Sequence, residues 1–350
     1  MSNLWQDLKK KSARSGEPIR VLAPIADVTD AAFRRVIAKY GKPDALWTEF
    51  VSADGLIRAT PEGKKKLMSD LLYDESERPI VAQLFSSHPE YMFEAGKLVR
   101  EMGFDGLDIN MGCPDRSIEK QGAGAAMMKD ARRARAVIRA AIEGVSAGGR
   151  SDSKEAIPVS VKTRIGYNKN ELETWLPELL AEKPAMITIH ARTRKEMSSV
   201  PARWEHVKRA VEIRDELQKL TADETCGKTL IFGNGDVLDL TDAKKKAAET
   251  GVDGVMFGRA IFGNPWLFSG KNVSEIPIAE KLRVLVEHTK LFEKLLGDIK
   301  NFAIMKKHFK AYVSGFDGAG ELRAQLMATE TAQEVEKIVG EFLSSKKASI

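Results

Sequence analysis

The sequence is poor in cysteine, and its two cysteines, Cys113 and Cys226, are too few for a disulfide framework or a cysteine-rich metal site. We therefore expect no metal and a reducing, cytoplasmic location. The chain also lacks any run of about 20 apolar residues, the length that a membrane helix needs, so no membrane span is predicted. Residues 1–17 carry several basic residues without an apolar run behind them, which argues against a secretory signal.

Neither sign of charge dominates the chain. The formal net charge is +5 over 350 residues, a mild excess that permits an anionic partner without requiring one. Hydrophobic residues make up 43% of the sequence, enough for one large domain with a real core and a small second domain.

Short apolar runs recur between residues 19 and 257, and most are followed by an amphipathic segment. The runs do not alternate polar and apolar residues, so they predict strands buried on both faces. Eight strand–helix units in about 260 residues favour an α/β TIM (β/α)8 barrel. An open doubly wound sheet is the alternative, because Gly55 and Pro61 interrupt the helical segment 51–69 of the second unit. The predicted strands are Ile19–Ala23, Asp44–Thr48, Pro79–Leu84, Gly106–Ile109, Pro158–Lys162, Ala185–His190, Thr229–Gly233 and Asp253–Phe257.

The pattern changes at about Ile276, after which only helical stretches are predicted. We therefore expect an N-terminal extension (1–18), a barrel domain (19–270) and a small C-terminal all-helical domain (276–346). Two polar insertions, 146–155 and 218–228, are predicted surface loops, and Cys226 in the second is expected to be inert. The predicted tail helices are 278–296, 301–314, 318–328 and 331–344.

Polar and charged residues follow most of the predicted strands, at the ends where a TIM barrel carries its reactive groups. Glycines at the ends of strands seven and eight would let backbone N–H groups approach an anion, which is typical of a phosphate site, although glycine also serves simple turning. The strand-end residues are Pro24, Ile25, Ala26, Gln83, Asn110, Cys113, Lys162, Arg164, His190, Arg192, Arg194, Asn234, Gly235, Asp236, Gly258 and Arg259.

Cys113 is the most informative single residue. A free cysteine is usually a small buried hydrophobe, but this one stands between Gly112 and Pro114, just past the fourth predicted strand. That position predicts a constrained loop at the reactive rim. A thiol with an ordinary pKa of about 8.5 is mostly protonated at neutral pH, so it can act as an acid.

Several of these segments, in the right order over about residues 19–270, resemble the tRNA-dihydrouridine synthase family, most closely its bacterial B-type subgroup. The family more often has Met where Ile25 stands. The tail, with Lys306-Lys307-His308 and residues 320–323, is similar to the family's RNA-binding domain. The matching segments are Ala23–Asp30 with Phe33-Arg34, Asp108–Pro114, Gly122–Met128, Val161–Gly166, Ile189–Arg194, Asn234–Asp236 and Gly258–Ala260.

The resemblance implies an oxidoreductase that reduces specific uridines in tRNA to 5,6-dihydrouridine. FMN would be its cofactor and NADPH or NADH its reductant. The flavin N5 would pass a hydride to uracil C6, and Cys113 would protonate C5. The implied FMN contacts are Pro24, Ile25 and Ala26 under the ring, Gln83 and Lys162 at its polar edge, and His190, Asn234, Gly235, Asp236, Gly258 and Arg259 around the phosphate end.

Two of these residues have other interpretations that stay open. Lys162 would stabilise a reduced flavin, but it could equally be one half of an ion pair with an acidic rim residue. His190 by itself is more often a structural, hydrogen-bonded histidine than a catalytic one.

The expected partner is tRNA, bound by a monomeric enzyme. From Lys271 onward the tail holds 13 Lys and Arg against 11 Asp and Glu, so it is not a strongly basic tether. The basic run from Arg132 to Arg139 is interpreted as a solvated helix face. The predicted tRNA contacts are Asn110, Arg164, Arg192, Arg194, Lys306, Lys307 and Arg323.

Two other functions are weighed against tRNA reduction. An FMN barrel reductase acting on a free pyrimidine or another small molecule would explain the barrel, but it leaves the helical tail without a task. A non-redox RNA-binding protein on a retained barrel would be expected to have lost flavin residues, yet Lys162, His190 and Arg259 are present.

Overall fold

A computed structural model of the protein describes residues 4–147, 156–221 and 228–347. Eight parallel strands form one sheet in the order β1-β8-β7-β6-β5-β4-β3-β2, and a bridge between Val21 and Ala45 joins β1 to β2. The predicted TIM barrel is confirmed, and the open-sheet alternative is wrong. The strands are β1 (Ile19–Leu22), β2 (Leu46–Ser52), β3 (Ile80–Phe85), β4 (Gly106–Met111), β5 (Val159–Arg164), β6 (Met186–His190), β7 (Leu230–Asn234) and β8 (Gly254–Phe257).

Helices cover the outside of the barrel and form the tail. None of those within the described ranges is long and apolar enough to cross a membrane. Residues 148–155 and 222–227, which include most of the two polar insertions and Cys226, lie outside the described residues. The helices are α1 (Leu4–Ser15), α2 (Ala31–Tyr40), α3 (Ala53–Arg58), α4 (Pro61–Asp70), α5 (Pro89–Glu101), α6 (Arg116–Lys120), α7 (Ala131–Ala147), α8 (Leu172–Leu180), α9 (Trp204–Thr221), α10 (Leu240–Thr250), α11 (Ile278–Leu296), α12 (Met305–Tyr312), α13 (Ala319–Met327) and α14 (Ala332–Lys347).

The second strand is longer than predicted. Aromatic and β-branched residues carry β2 past Thr48 to Ser52, and the register against β3 shifts between Trp47 and Phe50. The predicted helical segment 51–69 therefore begins later and divides into α3 and α4. The side chain of Ser52 caps α3, and that of Thr60 caps α4. The extension of β2 brings Glu49 and Phe50 to the carboxyl end of the barrel.

The N-terminal extension is an ordered helix that closes the opposite end of the barrel. Trp5 of α1 is only 1% exposed. Its ring stacks on Trp47 with centroids 5.6 Å apart and meets Phe232 edge-on at 5.7 Å. These aromatic contacts seal the end at which the strands begin, so the carboxyl ends remain the open face.

The helical tail packs on barrel helix α2 through three fully buried rings. Phe33 of α2 stacks on His288 of α11 at 4.9 Å and meets His308 of α12 at 4.7 Å, and the two imidazoles lie 4.5 Å apart. Within the described part of the chain, no ring nitrogen of either histidine has a hydrogen-bond partner. Burial lowers the pKa of His308 to about 3 and the pKa of His288 well below its usual value. Both imidazoles are therefore neutral in the folded protein.

We expect the His288→Phe/His308→Phe variant to lose part of the pH dependence of folding. Both pKa values are depressed in the folded state, so the unfolded chain takes up protons first, and the free energy of unfolding decreases as the pH falls below about 6.5. Each histidine contributes about 1.4 kcal/mol per pH unit to that slope. The variant should match the wild type at neutral pH and exceed it at pH 5, as measured by urea unfolding from pH 5 to 8.

A matched control is His206→Gln, because His206 lies in a more open site beside Asn170. This control should keep the wild-type slope. A double variant with an unchanged slope would show that the buried imidazoles do not set the acid stability.

Candidate active site

A cavity of about 790 Å³ opens at the carboxyl ends of the strands, a size within the usual range of ligand sites. Every predicted FMN contact lines it, as does Cys113, and so do three predicted tRNA contacts, Asn110, Arg164 and Arg192. The remaining predicted tRNA contacts, Arg194, Lys306, Lys307 and Arg323, do not. The lining residues that the sequence prediction missed include Phe50, Met197, Ser198, Val237 and Leu238.

Two side chains hold the loop that carries Cys113. The amide oxygen of Asn110 accepts hydrogen bonds from the backbone N–H groups of Gly112, at 3.1 Å, and Cys113, at 2.9 Å. The guanidinium of Arg164 donates to the carbonyl of Gly112 at 2.7 Å. Gly124 packs beneath the loop at φ +59°, where a Cβ would lie 2.8 Å from the carbonyl oxygen of Cys113. The backbone that carries the thiol is therefore held in a constrained loop at the carboxyl ends of the strands.

The thiol of Cys113 is partly buried at the cavity wall. Burial raises its pKa above the ordinary thiol value, and the nearby cations Arg164 and Lys162 oppose that shift less strongly. Burial prevails because a thiolate loses more hydration than these cations return. Cys113 is therefore a protonated thiol at neutral pH, the state that an acid requires.

A chain of buried polar groups lies behind the thiol loop. Asn110 donates to the side-chain oxygen of Gln83 at 2.9 Å, and Gln83 donates to Asp108 at 2.6 Å. The hydroxyl of Ser160 donates to the other oxygen of Asp108 at 2.5 Å. Burial raises the pKa of Asp108 to about 6, although these hydrogen bonds oppose the shift. The chain fixes which way the Gln83 amide faces, leaving one N–H of that amide for another acceptor.

Lys162 makes no hydrogen bond and no ion pair with any residue of the described ranges, so the ion-pair interpretation does not hold in this structure. Burial and the nearby charge of Arg164 together lower its pKa to about 8, and Asp108 partly opposes the shift. The result is a cation at the cavity wall whose charge no contacting carboxylate balances. Such a group fits a ligand that carries negative charge at this point.

The ends of β6, β7 and β8 form the other side of the cavity. Burial and the surrounding cations lower the pKa of His190 far below its usual value, so its imidazole is neutral. Its Nε2 accepts from Arg192 at 3.2 Å, and the guanidinium of Arg192 also pairs with Asp236. Arg259 contacts the other oxygen of Asp236 at 2.6 Å, and its side chain is 67% exposed. An ordered, net cationic edge results.

Two glycines shape this edge. Gly235 has φ +121°, and a Cβ there would lie 2.9 Å from the side chain of Ala202 and 3.1 Å from the ring of His190. A Cβ on Gly258 would meet no atom within 4 Å, because that face opens into the cavity. The backbone at Gly258 can therefore receive a ligand without a side chain in the way.

The remaining predicted tRNA contacts lie outside the cavity. Arg194 forms a two-pronged ion pair with Glu119, one contact of which is 2.8 Å long. Lys307 reaches back to the rim, where its ammonium lies 3.3 Å from Asp27. Much of the predicted basic surface is thus already engaged by the protein itself. The other two, Lys306 and Arg323, are half-buried on the tail helices.

The solved structure of 2-naphthoyl-CoA reductase in complex with 2-naphthoyl-CoA resembles this fold, with a TM-score of 0.50 at 11% sequence identity. The match covers 72% of this chain and 49% of the reductase chain, so this protein spans about half the length of the reductase. At this identity the likeness concerns the barrel fold alone.

The sequence comparisons go further. A family model described as Dihydrouridine synthase (Dus) matches residues 21–347. A probable tRNA-dihydrouridine synthase of Staphylococcus aureus (strain MRSA252) is 37% identical over 342 residues, covering 97% of this chain and 95% of the relative. Probable tRNA-dihydrouridine synthase 2 of Bacillus subtilis (strain 168) is also 37% identical, and the match covers 97% of this chain and 96% of the relative. The chain belongs to the dihydrouridine synthase (Dus) family of enzymes.

Proposed function

We propose that this enzyme reduces specific uridines in tRNA to 5,6-dihydrouridine, with FMN as cofactor and NADPH or NADH as reductant. The observation that carries the proposal is the protonated thiol of Cys113, fixed on its loop at the wall of the same cavity as an ordered cationic edge. Family membership and the names of the relatives support tRNA as the substrate.

The residues present fit FMN. Pro24, Ile25 and Ala26 line the cavity at the end of β1 and would lie against the flat ring. Lys162 would approach its polar edge, where an unbalanced cation favours the negative charge of a reduced ring. When bound, FMN would supply the hydride that adds to uracil C6.

The phosphate end of FMN fits the cationic edge. Arg259 would bind the phosphate, and the open backbone of Gly258 would lie close to it. Neutral His190, whose Nε2 accepts from Arg192, can donate a hydrogen bond from Nδ1 there without adding charge. Asn234, Gly235 and Asp236 would hold these partners in place, since Asn234 donates to the carbonyl of Met256 at 2.8 Å and Asp236 pairs with Arg259.

Cys113 would complete the reduction by giving its thiol proton to C5. Addition of a hydride at C6 and a proton at C5 converts the C5–C6 double bond to a single bond and leaves a thiolate. The charges of Arg164 and Lys162 act on Cys113 and stabilise the thiolate once it forms. A uridine must leave its stack to reach this cavity, and the open rim leaves room for it to enter.

The two other functions explain less of the structure. A small-molecule reductase would need no helical tail, yet the tail packs into the same hydrophobic core as the barrel. A non-redox RNA-binding protein would not need an unbalanced Lys162 beside a protonated thiol.

We expect the purified protein to be yellow, or to bind FMN on reconstitution. Arg259→Ala should weaken FMN binding about tenfold, because one charge-assisted contact to the phosphate is lost from an exposed position. Quenching of FMN fluorescence on titration measures the affinity. Arg14→Ala, on α1 at the far end of the barrel, is the matched control and should bind FMN like the wild type. Failure of the wild type to bind FMN would rule out this cofactor.

We expect Cys113→Ala to lower dihydrouridine formation by about 10²- to 10⁴-fold, the usual contribution of a positioned acid. FMN binding and flavin reduction by NADPH should persist. Single-turnover reduction of unmodified tRNA by pre-reduced enzyme measures the step directly. The rate of dihydrouridine formation by Cys113→Ser should lie between those of the wild type and Cys113→Ala, since a hydroxyl is a weaker acid than a thiol.

The pH dependence offers a second check on Cys113. Burial raises the pKa of its thiol, so the wild-type rate should hold through neutral pH and fall only above the ordinary thiol range. Product formation by Cys113→Ala at the wild-type rate would remove Cys113 from this role.

A further inference from the structure

Glu49 occupies a place that the proposed reaction does not explain. It lies on the extended end of β2 and is only 4% exposed. One carboxylate oxygen accepts a hydrogen bond from the backbone N–H of Asp27. The other lies 2.5 Å from the ammonium of Lys300, which follows helix α11 of the tail. One carboxylate therefore connects the tail to the loop after β1.

That loop is held both from within and from outside. Asp27 has φ +52°, a left-handed conformation that residues with a Cβ adopt at a cost. It directly follows Pro24, Ile25 and Ala26, which form the cavity wall. Within the loop, the N–H of Ile25 donates to the hydroxyl of Thr29 at 2.8 Å. The backbone N–H groups of Val28 and Thr29 also donate to the carbonyl of Ile25, at 3.1 and 3.0 Å, and close the turn across Asp27. The N–H of Asp27 itself points out of this turn to Glu49, which therefore holds the turn against the neighbouring strand.

Lys300 is built into the barrel rather than exposed on the tail. Its side chain is 10% exposed and pairs with Asp70 at 2.6 Å as well as with Glu49. Burial raises the pKa of Glu49 to about 7, even though Lys300 opposes the shift and Asp30 and Asp70 add to it. Two carboxylates around one ammonium at a buried site are costly to keep, and an apolar residue at Glu49 would fill the space without that cost.

We propose that Glu49 is a positioning residue for the loop that supports the flavin ring, and that Lys300 makes this hold depend on the docked tail. The inference rests on the proposed function, which places the ring against Pro24, Ile25 and Ala26. Lys300 orients the carboxylate, the carboxylate fixes the N–H of Asp27, and the wall residues before Asp27 are held in register with the cavity.

The test compares Glu49→Leu with Glu49→Gln. Leucine removes the acceptor for Asp27, while Asp70 still neutralises Lys300, so no buried charge is left unpaired. We expect about a tenfold loss of FMN affinity, the equivalent of one charged hydrogen bond, and a shifted visible absorption band of the bound flavin. Glutamine keeps one acceptor oxygen for the N–H of Asp27 but turns its amide NH2 group toward Lys300, so it should restore part of the affinity and move the band back toward that of the wild type.

Lys300→Met tests the dependence on the tail, and Lys300→Arg is its conservative partner. The methionine variant should shift the flavin band in the same direction as Glu49→Leu, and the arginine variant should not. If the methionine variant fails to fold, the two Glu49 variants still test the positioning role, because Lys300 keeps Asp70 as its partner in both.

Asp253→Leu is the matched control at the other end of the barrel. Asp253 also accepts a backbone N–H, that of Ile231, and pairs with a buried cation, Arg214, which keeps Asp215 as a second partner. This variant should lower the melting temperature without changing FMN affinity or the flavin band.

Three outcomes would overturn the inference. One is wild-type FMN affinity and spectrum in Glu49→Leu while the wild type binds FMN, which leaves the proposed function standing. Another is an Asp253→Leu variant that disturbs the flavin as much as Glu49→Leu does, which would make the effect one of general stability. A wild type that binds no FMN would remove both the proposed cofactor and this inference.

Discussion

Closure of a parallel sheet is the constraint on which the rest of the structure depends. The pairing of β1 with β8 and the short bridge from Val21 to Ala45 force all eight carboxyl ends onto one rim. Residues far apart in the chain, such as Asp27, Cys113 and Arg259, therefore surround one cavity or its edge. At the opposite end of the barrel, Trp5 packs against two other aromatic rings and closes the interior.

A barrel of apolar strands tolerates polar groups at its rim only if they find partners there. Gln83, Asp108 and Ser160 satisfy one another, and Asn110 extends that chain to the loop of Cys113. The fixed position of the thiol is thus a consequence of satisfying buried polar atoms. The cations at the rim differ in whether a carboxylate balances their charge. Arg192 and Arg259 share Asp236, whereas Lys162 is left unbalanced, and burial together with the excess positive field lowers the pKa of His190 and keeps its imidazole neutral.

The sequence predicted the barrel because buried parallel strands appear as continuous apolar runs, which single-sequence patterns reveal well. It also predicted most of the cavity residues, since strand ends in a closed barrel must converge. It did not predict Glu49 or Phe50, because the register shift in β2 moved the strand end beyond Thr48. The partnership of Glu49 with Lys300 joins residues 251 apart in the chain, and no local pattern records such a pairing.

Some cavity residues have a structural role in addition to the substrate contact that their position at a strand end predicts. Asn110 and Arg164 were predicted to contact tRNA, and both line the cavity, yet their hydrogen bonds fix the loop of Cys113. Any contact with a nucleotide would have to use the donors that remain, so a substitution at either position would disturb the thiol as well as the substrate. A loss of activity at these positions therefore cannot by itself identify an RNA contact.

The helical tail and the barrel share one hydrophobic core, although the sequence pattern changes between them. The predicted division at residue 276 matches the change from strands to helices, but the hydrophobic core runs across it without a break. Phe33 of the barrel is covered by His288 and His308 of the tail, and Glu49 is neutralised by Lys300. Removing the tail would expose an aromatic surface on α2 and leave a buried carboxylate without its cation. Because that same carboxylate holds the loop after β1, the tail acts on the wall of the cavity even where it never reaches the ligand.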